Sequence, residues 1–401
     1  MFLEILIAII AGVTAGTFTG LIPGIHVNLI TAILVSSTAI LSPFFSLFQI
    51  VIIIIAMAIT HTFVGSIPSI LFGAPDESQY LLALPGHKLV LEGKALTAIY
   101  LTLVGSYGGL LFSLIAIPLV MFLMKIISET IDGFVGHTLL IAVILLLFFE
   151  SPSKRFFAAL FFLLSGLLGI LVFETPNLSQ PLLPLLSGLF GTSLLIESLR
   201  QKSYFPTQNM SIEKQSLKSS IPLFQLSTIA GFFAAFLPGL GSSQSAIFAS
   251  KFLRDQTPQK FLLVVSGINT ISMSLSLITF YLFDKSRNGA VVGIQELIGS
   301  LSLTQLLLSI TTLLVAASLS FFIAYKLSVV GVHIVSKISY VKIVSVIICV
   351  IILLVFFFDG FVGLLILCTA TLLGLSATHK GVAKHYLMGC LLVSTILFFL
   401  F

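Results

Sequence analysis

The chain has 401 residues, of which 58% are hydrophobic and 8% charged, with a mean hydropathy of +1.20. Soluble domains carry about 25% charged residues, so this chain cannot cover a water-facing surface, and a soluble enzyme is excluded. The net charge of +5 comes without a basic stripe and interleaved aromatics, which argues against nucleic acid and fits Lys and Arg gathered in short membrane loops.

A transmembrane helix needs about 20 mostly apolar residues. Polar or Gly/Pro-rich breaks divide the first half into apolar segments at 3–22, 25–42, 47–72, 96–124, 131–149, 156–173 and 181–199. Met1–Ile10 lacks the basic region of a cleavable signal peptide and reads as the start of the first of these helices. The most polar stretch, 200–220, reads as a cytoplasmic linker between membrane repeats at 1–199 and 221–401. Segments in the second half fall at 222–237, 241–253, 260–283, 303–325, 341–358, 361–376 and 385–401. Cys349, Cys368 and Cys390 stand alone inside apolar runs, where cysteine acts as a small hydrophobe. Trp is absent, so an interfacial aromatic belt would rest on Tyr.

The halves resemble each other. Gly16-Thr17-Phe18-Thr19-Gly20-Leu21-Ile22-Pro23-Gly24 parallels Gly231-Phe232-Phe233-Ala234-Ala235-Phe236-Leu237-Pro238-Gly239. The third segments align at a constant offset, pairing His61-Thr62 with Asn269-Thr270 and Asp76 with Asp284. Shared order and spacing indicate an internal duplication. With the linker inside and every segment crossing, all of the 19 Lys and Arg except Lys125, Lys285 and Arg287 fall on the cytoplasmic side, as the positive-inside rule requires. An odd number of crossings per half then inverts the second repeat relative to the first. This holds whether the first two segments of each half cross or form a re-entrant hairpin. The expected fold is therefore an all-α polytopic membrane protein of two inverted repeats, each with about 5–7 segments, an architecture of many secondary transporters.

Pro23-Gly24 and Pro238-Gly239 interrupt apolar helices. At membrane depth, unpaired backbone is tolerated only where protein buries it or a cavity uses it. A helix restarting there presents free N–H groups and a positive dipole end, which suits an anion. Candidate anion-binding residues are thus Gly24, His26 and Asn28 at the first break and Gly239, Gly241, Ser242 and Ser243 at the second. Gly20, Pro23 and Pro238 are the residues of the breaks themselves. The alternative is a pair of ordinary tight turns. His61, Thr62, Asn269 and Thr270 are polar, deep and repeat-related, so they mark either a pathway or interhelical hydrogen bonds. Asp76 and Asp284 could hold a coupling cation or be solvated loop carboxylates. No metalloprotease, serine-hydrolase or P-loop motif is present, so neither catalysis nor ATP hydrolysis is expected.

Three readings follow. The first is a secondary active transporter for a small organic anion, a carboxylate, with alternating access around a mid-membrane site. A gradient of H+ or Na+ would drive it, and no cofactor is required. The second is a translocase of a lipid-linked anion such as a polyprenyl phosphate. The third, an intramembrane enzyme using His26 or His61, has no evident partner carboxylate or nucleophile.

The motifs Gly16-x3-Gly20-x2-Pro23-Gly24 and Pro238-Gly239-Leu240-Gly241-Ser242-Ser243, with the loop Leu84-Pro85-Gly86-His87-Lys88 and Gly93-Lys94-Ala95-Leu96, resemble the large membrane subunit of the tripartite tricarboxylate transporters, the TctA-type family. The chain looks most like the shorter, archaeal branch. The resemblance implies a gradient-driven carrier of organic anions in the cell membrane of a prokaryote. It also implies two partners, a small membrane subunit and an extracytoplasmic solute-binding protein, and places Pro23, Gly24, Pro238, Gly239, Gly241 and Ser242 in the transport core.

Overall fold

The computed structural model describes residues 2–22, 27–72, 80–131, 134–200, 206–213, 215–237, 240–253, 255, 257–335 and 340–401. No strand occurs among them. In lipid each backbone N–H and C=O must be satisfied within its own segment, and these Leu-, Ile- and Phe-rich runs do so as helices. The first half gives α1 (Phe2–Leu21), α2 (Val27–Ser36), α3 (Thr38–Leu41), α4 (Leu47–Val64), α5 (Ser66–Phe72), α6 (Tyr80–Leu91), α7 (Ala95–Ile131), α8 (Val135–Phe148), α9 (Pro152–Phe173), α10 (Leu182–Leu186), a π-helical turn (Ser187–Thr192) and α11 (Ser193–Arg200). The second gives α12 (Leu217–Phe236), α13 (Ser242–Lys251), α14 (Pro258–Phe283), α15 (Gly289–Ile298), α16 (Leu303–Val335), α17 (Tyr340–His379), a 3-10 turn (Lys384–Met388) and α18 (Gly389–Leu400). Nine helical stretches among the described residues are long and apolar enough to cross a bilayer.

Element lengths repeat between the halves. α1 and α12 each have 20 residues, α2 and α13 each have 10, and the 26 residues of α4–α5 correspond to the 26 of α14. At 1.5 Å per residue, α2 and α13 are only about 15 Å long, half the hydrocarbon thickness. Each half therefore opens with a full helix followed by a half-helix. Two further short helices, α6 and α15, lie outside the apolar segments read from sequence. Pro85, His87 and Lys88 in one, and Gln295 and Glu296 in the other, interrupt the hydropathy. The linker is shorter than its expected 200–220, because the polar turn Leu217-Lys218-Ser219-Ser220 is already helical.

Small residues set the close packing. Gly12, Gly16 and Gly20 lay the face of α1 on Ile53, Met57 and Val64 of α4, so tightly that a Cβ on Gly16 would stand 2.4 Å from the Met57 carbonyl oxygen. Such small-residue stripes let membrane helices approach backbone to backbone. In α12 the equivalent face uses Ser227, which donates to the Val264 carbonyl of α14 at 3.2 Å, and Gly231, which abuts Ile271.

These contacts also fix helix directions. Contacts on α1 and α4 advance together along both helices, so the two run parallel, as do α12 and α14. Gly105 of α7 faces Leu263 and Gly109 faces Gly267, making α7 parallel to α14. Ser320 of α16 donates to Thr60 at 2.8 Å and Gly331 faces Leu71, making α16 parallel to α4. In contrast, Tyr100 of α7 meets Tyr325 of α16, and Tyr107 meets Ser318, so those two helices run antiparallel. α4 and α14 must then run in opposite directions, as inverted copies do. Each central helix is clasped by one long helix of its own repeat and one of the other.

α17 is not one straight helix. Gly360 (φ 61°, ψ −148°) breaks it, and both arms return to α11, with Val344 clustered on Leu195 and Gly374 against Ser193. This matches the break expected between 358 and 361. It forms the counterpart of the α8–α9 hairpin, whose turn is at Glu150. Asp359 at the α17 turn accepts from the Gln180 N–H at 2.8 Å.

The linker packs on the turn between α6 and α7. Gln208 accepts from the Ala95 N–H at 3.0 Å and donates to the Val90 carbonyl at 2.9 Å, and Lys94 pairs with Glu213 at 2.7 Å. That carboxylate holds the Lys94 ammonium above its ordinary range. A second basic group, Arg200 beside His379 and Lys154 near Gly381, gathers at the linker end of α11. The directions above put 80–95 at the linker end and 284–300 at the opposite end. Cysteines replacing Glu92 and Lys285, both exposed, should react with an impermeant thiol reagent from opposite faces of oriented vesicles. Labelling of both from one face would refute the inverted arrangement.

Candidate functional site

α12 ends at Phe236, and Leu237, the residue before Pro238, is extended (φ −84°, ψ 120°), as the pyrrolidine ring requires of its predecessor. The chain restarts as α13 after Gly241, whose φ of −71° and ψ of 171° form an N-cap without a side-chain bond. The N–H groups of Ser242, Ser243 and Gln244 thus open the helix without intrahelical acceptors. In the first half, α1 stops at Leu21 and α2 begins at Val27. Pro23, Gly24, His26, Asp76, Pro238 and Gly239 lie outside the described residues.

After α14 the chain doubles back. Asp284, left-handed at φ 50°, caps α14 through a bond from its N–H to Phe280. Asn288 then reaches back to donate to the Met273 sulfur at 3.4 Å. Its side-chain oxygen accepts from the Val291 N–H and caps α15. α15 climbs against α2, with Gly289 on Asn28 and Gly293 on Thr31; a Cβ at Gly289 would stand 2.3 Å from the Asn28 side chain.

These three helix starts enclose a cavity of about 400 Å³. Asn28 comes from the first half, and Gly241, Ser242, Ser243 and Gln244 come from the second, with Arg287 from the chain preceding α15. Leu182, Leu237, Leu240, Met388 and Leu391 form the apolar side. Gln244 is 3% exposed and its Oε1 has no hydrogen-bond partner among the described residues. A half-turn of its amide would present N–H groups to the cavity instead. The lining thus combines the positive end of α13's dipole, a guanidinium and several neutral donors.

Four of the sequence-predicted residues therefore meet: Asn28, Gly241, Ser242 and Ser243. Gly20 packs on Val64 of α4. His61, 4% exposed, shares a hydrogen bond of 3.1 Å with Thr19 across the α1–α4 seam. Thr62 and Thr270 bond back to Ile59 and Ser266 within their own helices, and Asn269 is buried in α14. None of these lines the cavity. Asp284 is exposed and also lies outside the lining. Sequence reasoning missed Arg287 and Gln244. A signal for Arg287 existed, because it is one of three basic residues on the wrong side of the charge bias.

The family model described as "Tripartite tricarboxylate transporter TctA family" matches residues 6–389. The chain belongs to the TctA family. An uncharacterized protein of the archaeon Methanocaldococcus jannaschii is 30% identical over 414 residues, covering 98% of this chain and 99% of that one. No solved structure matches. This TctA-family chain is accordingly a multi-pass membrane protein and a transporter component, which confirms the resemblance noted from its motifs.

The site geometry carries a direct check. A cysteine replacing Ser242 should react with a small hydrophilic thiol reagent at least about tenfold faster than one replacing His61, because thiol modification follows access. Equal rates would mean that water does not reach the cavity.

Proposed function

We propose that this TctA-family protein is a secondary active carrier of a small organic anion, a carboxylate, held between the two helix breaks. The observation that carries this reading is the convergence of Asn28, the α13 N-terminus and Arg287 on one cavity lined from both halves. The carboxylate would lie against Arg287 and the N–H groups of Ser242 and Ser243. Gly24, His26 and Gly239 would complete the cradle from the breaks. Alternating access would come from movement of one bundle against the other. A gradient of H+ or Na+ would supply the energy. Asp284 is exposed, so its part in coupling, with Asp76, is proposed for the mouth of the pathway. The family's name speaks of a tripartite system. The proposed partners are a small membrane subunit and an extracytoplasmic solute-binding protein, in the cell membrane of a prokaryote, an archaeon like its relative.

A lipid-facing groove of about 420 Å³ between α8 of the first half and α12–α13 of the second favours a second reading, the translocase of a lipid-linked anion. Soluble carboxylate uptake separates the two.

The test is uptake by proteoliposomes under imposed sodium or proton gradients. Arg287→Gln should lower uptake roughly 30-fold or more, since removing one partner of a buried charge contact costs about 2–5 kcal/mol. Arg287→Lys should keep part of it, losing only the planar fork. Wild-type uptake by Arg287→Gln would refute the site.

A further inference from the structure

The groove between α8 and the α12–α13 pair lies outside the site described above. Ile141 and Leu145 of α8, Ile229 and Phe233 of α12, and Phe252 of α13 line it, and all five are exposed. On a chain that spans a bilayer, such a surface meets hydrocarbon as apolar as itself. From Thr138 to Leu145 the groove follows about 10 Å of α8, at 1.5 Å per residue. Its volume of about 420 Å³ over that length makes a slot roughly 7 Å across. A helix with its side chains is about 10–12 Å wide, so the slot seats a hydrocarbon chain and not a partner's helix.

One polar group faces this slot from deep inside. Ser245 is 3% exposed and lines the groove, and its hydroxyl oxygen has no hydrogen-bond partner among the described residues. A buried hydroxyl is costly without a partner. Hydrocarbon alone offers none, so the fitting occupant carries an oxygen as well as a chain.

The linker end of the groove is basic. Lys251, exposed in the last turn of α13, directly precedes the groove residue Phe252. On the α8 side, Arg155 lies 5.3 Å over the Phe148 ring and donates to the Phe148 carbonyl at 2.8 Å, just past the groove residue Leu145. The 3-10 turn joins these two corners. Tyr386 donates to the Leu146 carbonyl at 3.1 Å, and the charges of Lys251 and Glu150 both act on the neighbouring His385. The carboxylates at this end are engaged, Glu150 with the N–H and hydroxyl of Ser151 and Asp255 with Lys260. Ser245 stands about 9 Å of helix deeper than Lys251. Basic pockets between membrane helices on the cytoplasmic side hold anionic lipid headgroups.

We infer that this groove holds one phospholipid with an anionic headgroup. Its phosphate lies between Lys251 and Arg155, its ester or ether oxygens face Ser245, and one chain follows the slot towards Leu240. Leu240 also lines the polar cavity, so the bound chain braces a wall of the candidate site. The inference does not depend on the carrier reading.

Because the chain has no Trp, Phe252→Trp supplies a single indole at the foot of the groove. The full-length variant is reconstituted in phosphatidylcholine bilayers with rising fractions of brominated phosphatidylglycerol or brominated phosphatidylcholine, and quenching of its fluorescence is read. Half-maximal quenching should need at least about fivefold less phosphatidylglycerol than phosphatidylcholine, the worth of one basic residue beside an anionic lipid. Lys251→Gln combined with Arg155→Gln should erase that difference. Ser245→Ala should raise the phosphatidylglycerol fraction required about twofold or more, the worth of one hydrogen bond. Phe361→Trp, at a side chain 77% exposed on the far turn of α17, should show no difference between the lipids. Equal quenching of the Phe252→Trp protein by both lipids would overturn the inference, as would a preference that survives loss of both basic residues. The same preference at Phe361→Trp would assign it to the whole surface and overturn the site. Quenching by neither lipid would show that a protein segment, not a lipid, fills the groove.

Discussion

Backbone that leaves a helix inside a membrane has no water to turn to, and each unsatisfied N–H or C=O there costs several kcal/mol. Helices that begin part-way through the bilayer exist only if other parts of the chain enclose them. Here the enclosure comes from exchange between repeats. α16 lies on α4, α7 lies on α14, and glycines bring the backbones close enough to exclude lipid. The starts of α2, α13 and α15 are then free to face a cavity rather than hydrocarbon.

Charge obeys the same economy. Basic residues gather at the linker end, where Lys94, Lys154, Arg200 and Lys384 find carboxylate, imidazole, loop or hydroxyl neighbours. Arg287 is the exception, on the opposite side and drawn inward by the chain that doubles back from Asp284 to Asn288. A guanidinium placed towards the interior of a membrane protein is costly and is retained where it meets a ligand or a partner charge.

Much of this was legible beforehand. Hydropathy gave the spans, the Lys and Arg distribution gave the inversion, and the two Pro-Gly dipeptides marked where helices stop. Asn28 and Ser242 could be chosen because each follows a break, and the cavity joins them. For the repeat-related His61 and Asn269 the sequence leaves open a pathway or interhelical hydrogen bonds, and the His61–Thr19 bond is of the second kind. Duplication copies packing seams as faithfully as it copies binding sites, and His61 serves the α1–α4 seam through Thr19. α6 and α15 escaped notice because a half-span with polar residues looks like a loop when only hydropathy is weighed. Arg287 escaped because its neighbours Asp284 and Lys285 suggested a solvated turn. The hydrogen bond from Asn288 to Met273, fifteen residues back along the chain, and the packing of Gly289 on Asn28 reveal that this turn dives inward.

The cavity also lies at a boundary. α1, α2, α4, α7, α12, α14 and α16 contribute to one hydrophobic cluster, whereas a second joins α8, α9, α18 and the arm of α17 after Gly360 to other residues of α7, α12, α14 and α16. Asn28 comes from the first group, and Met388, Leu391 and Thr395 come from the turn and helix of the second. A ligand held there would touch residues of both clusters at once. Were the turn and helix at 384–400 to shift against α2 and α13, the polar cradle could keep its contacts while the apolar wall of Leu182, Met388 and Leu391 moved past it. Apolar packing has no directional bonds to break during such a slide, whereas hydrogen bonds to a charged group are strongly directional. In the proposed carrier, polar recognition on one side of the cavity and hydrocarbon contact on the other would therefore let the solute stay held while the walls change places.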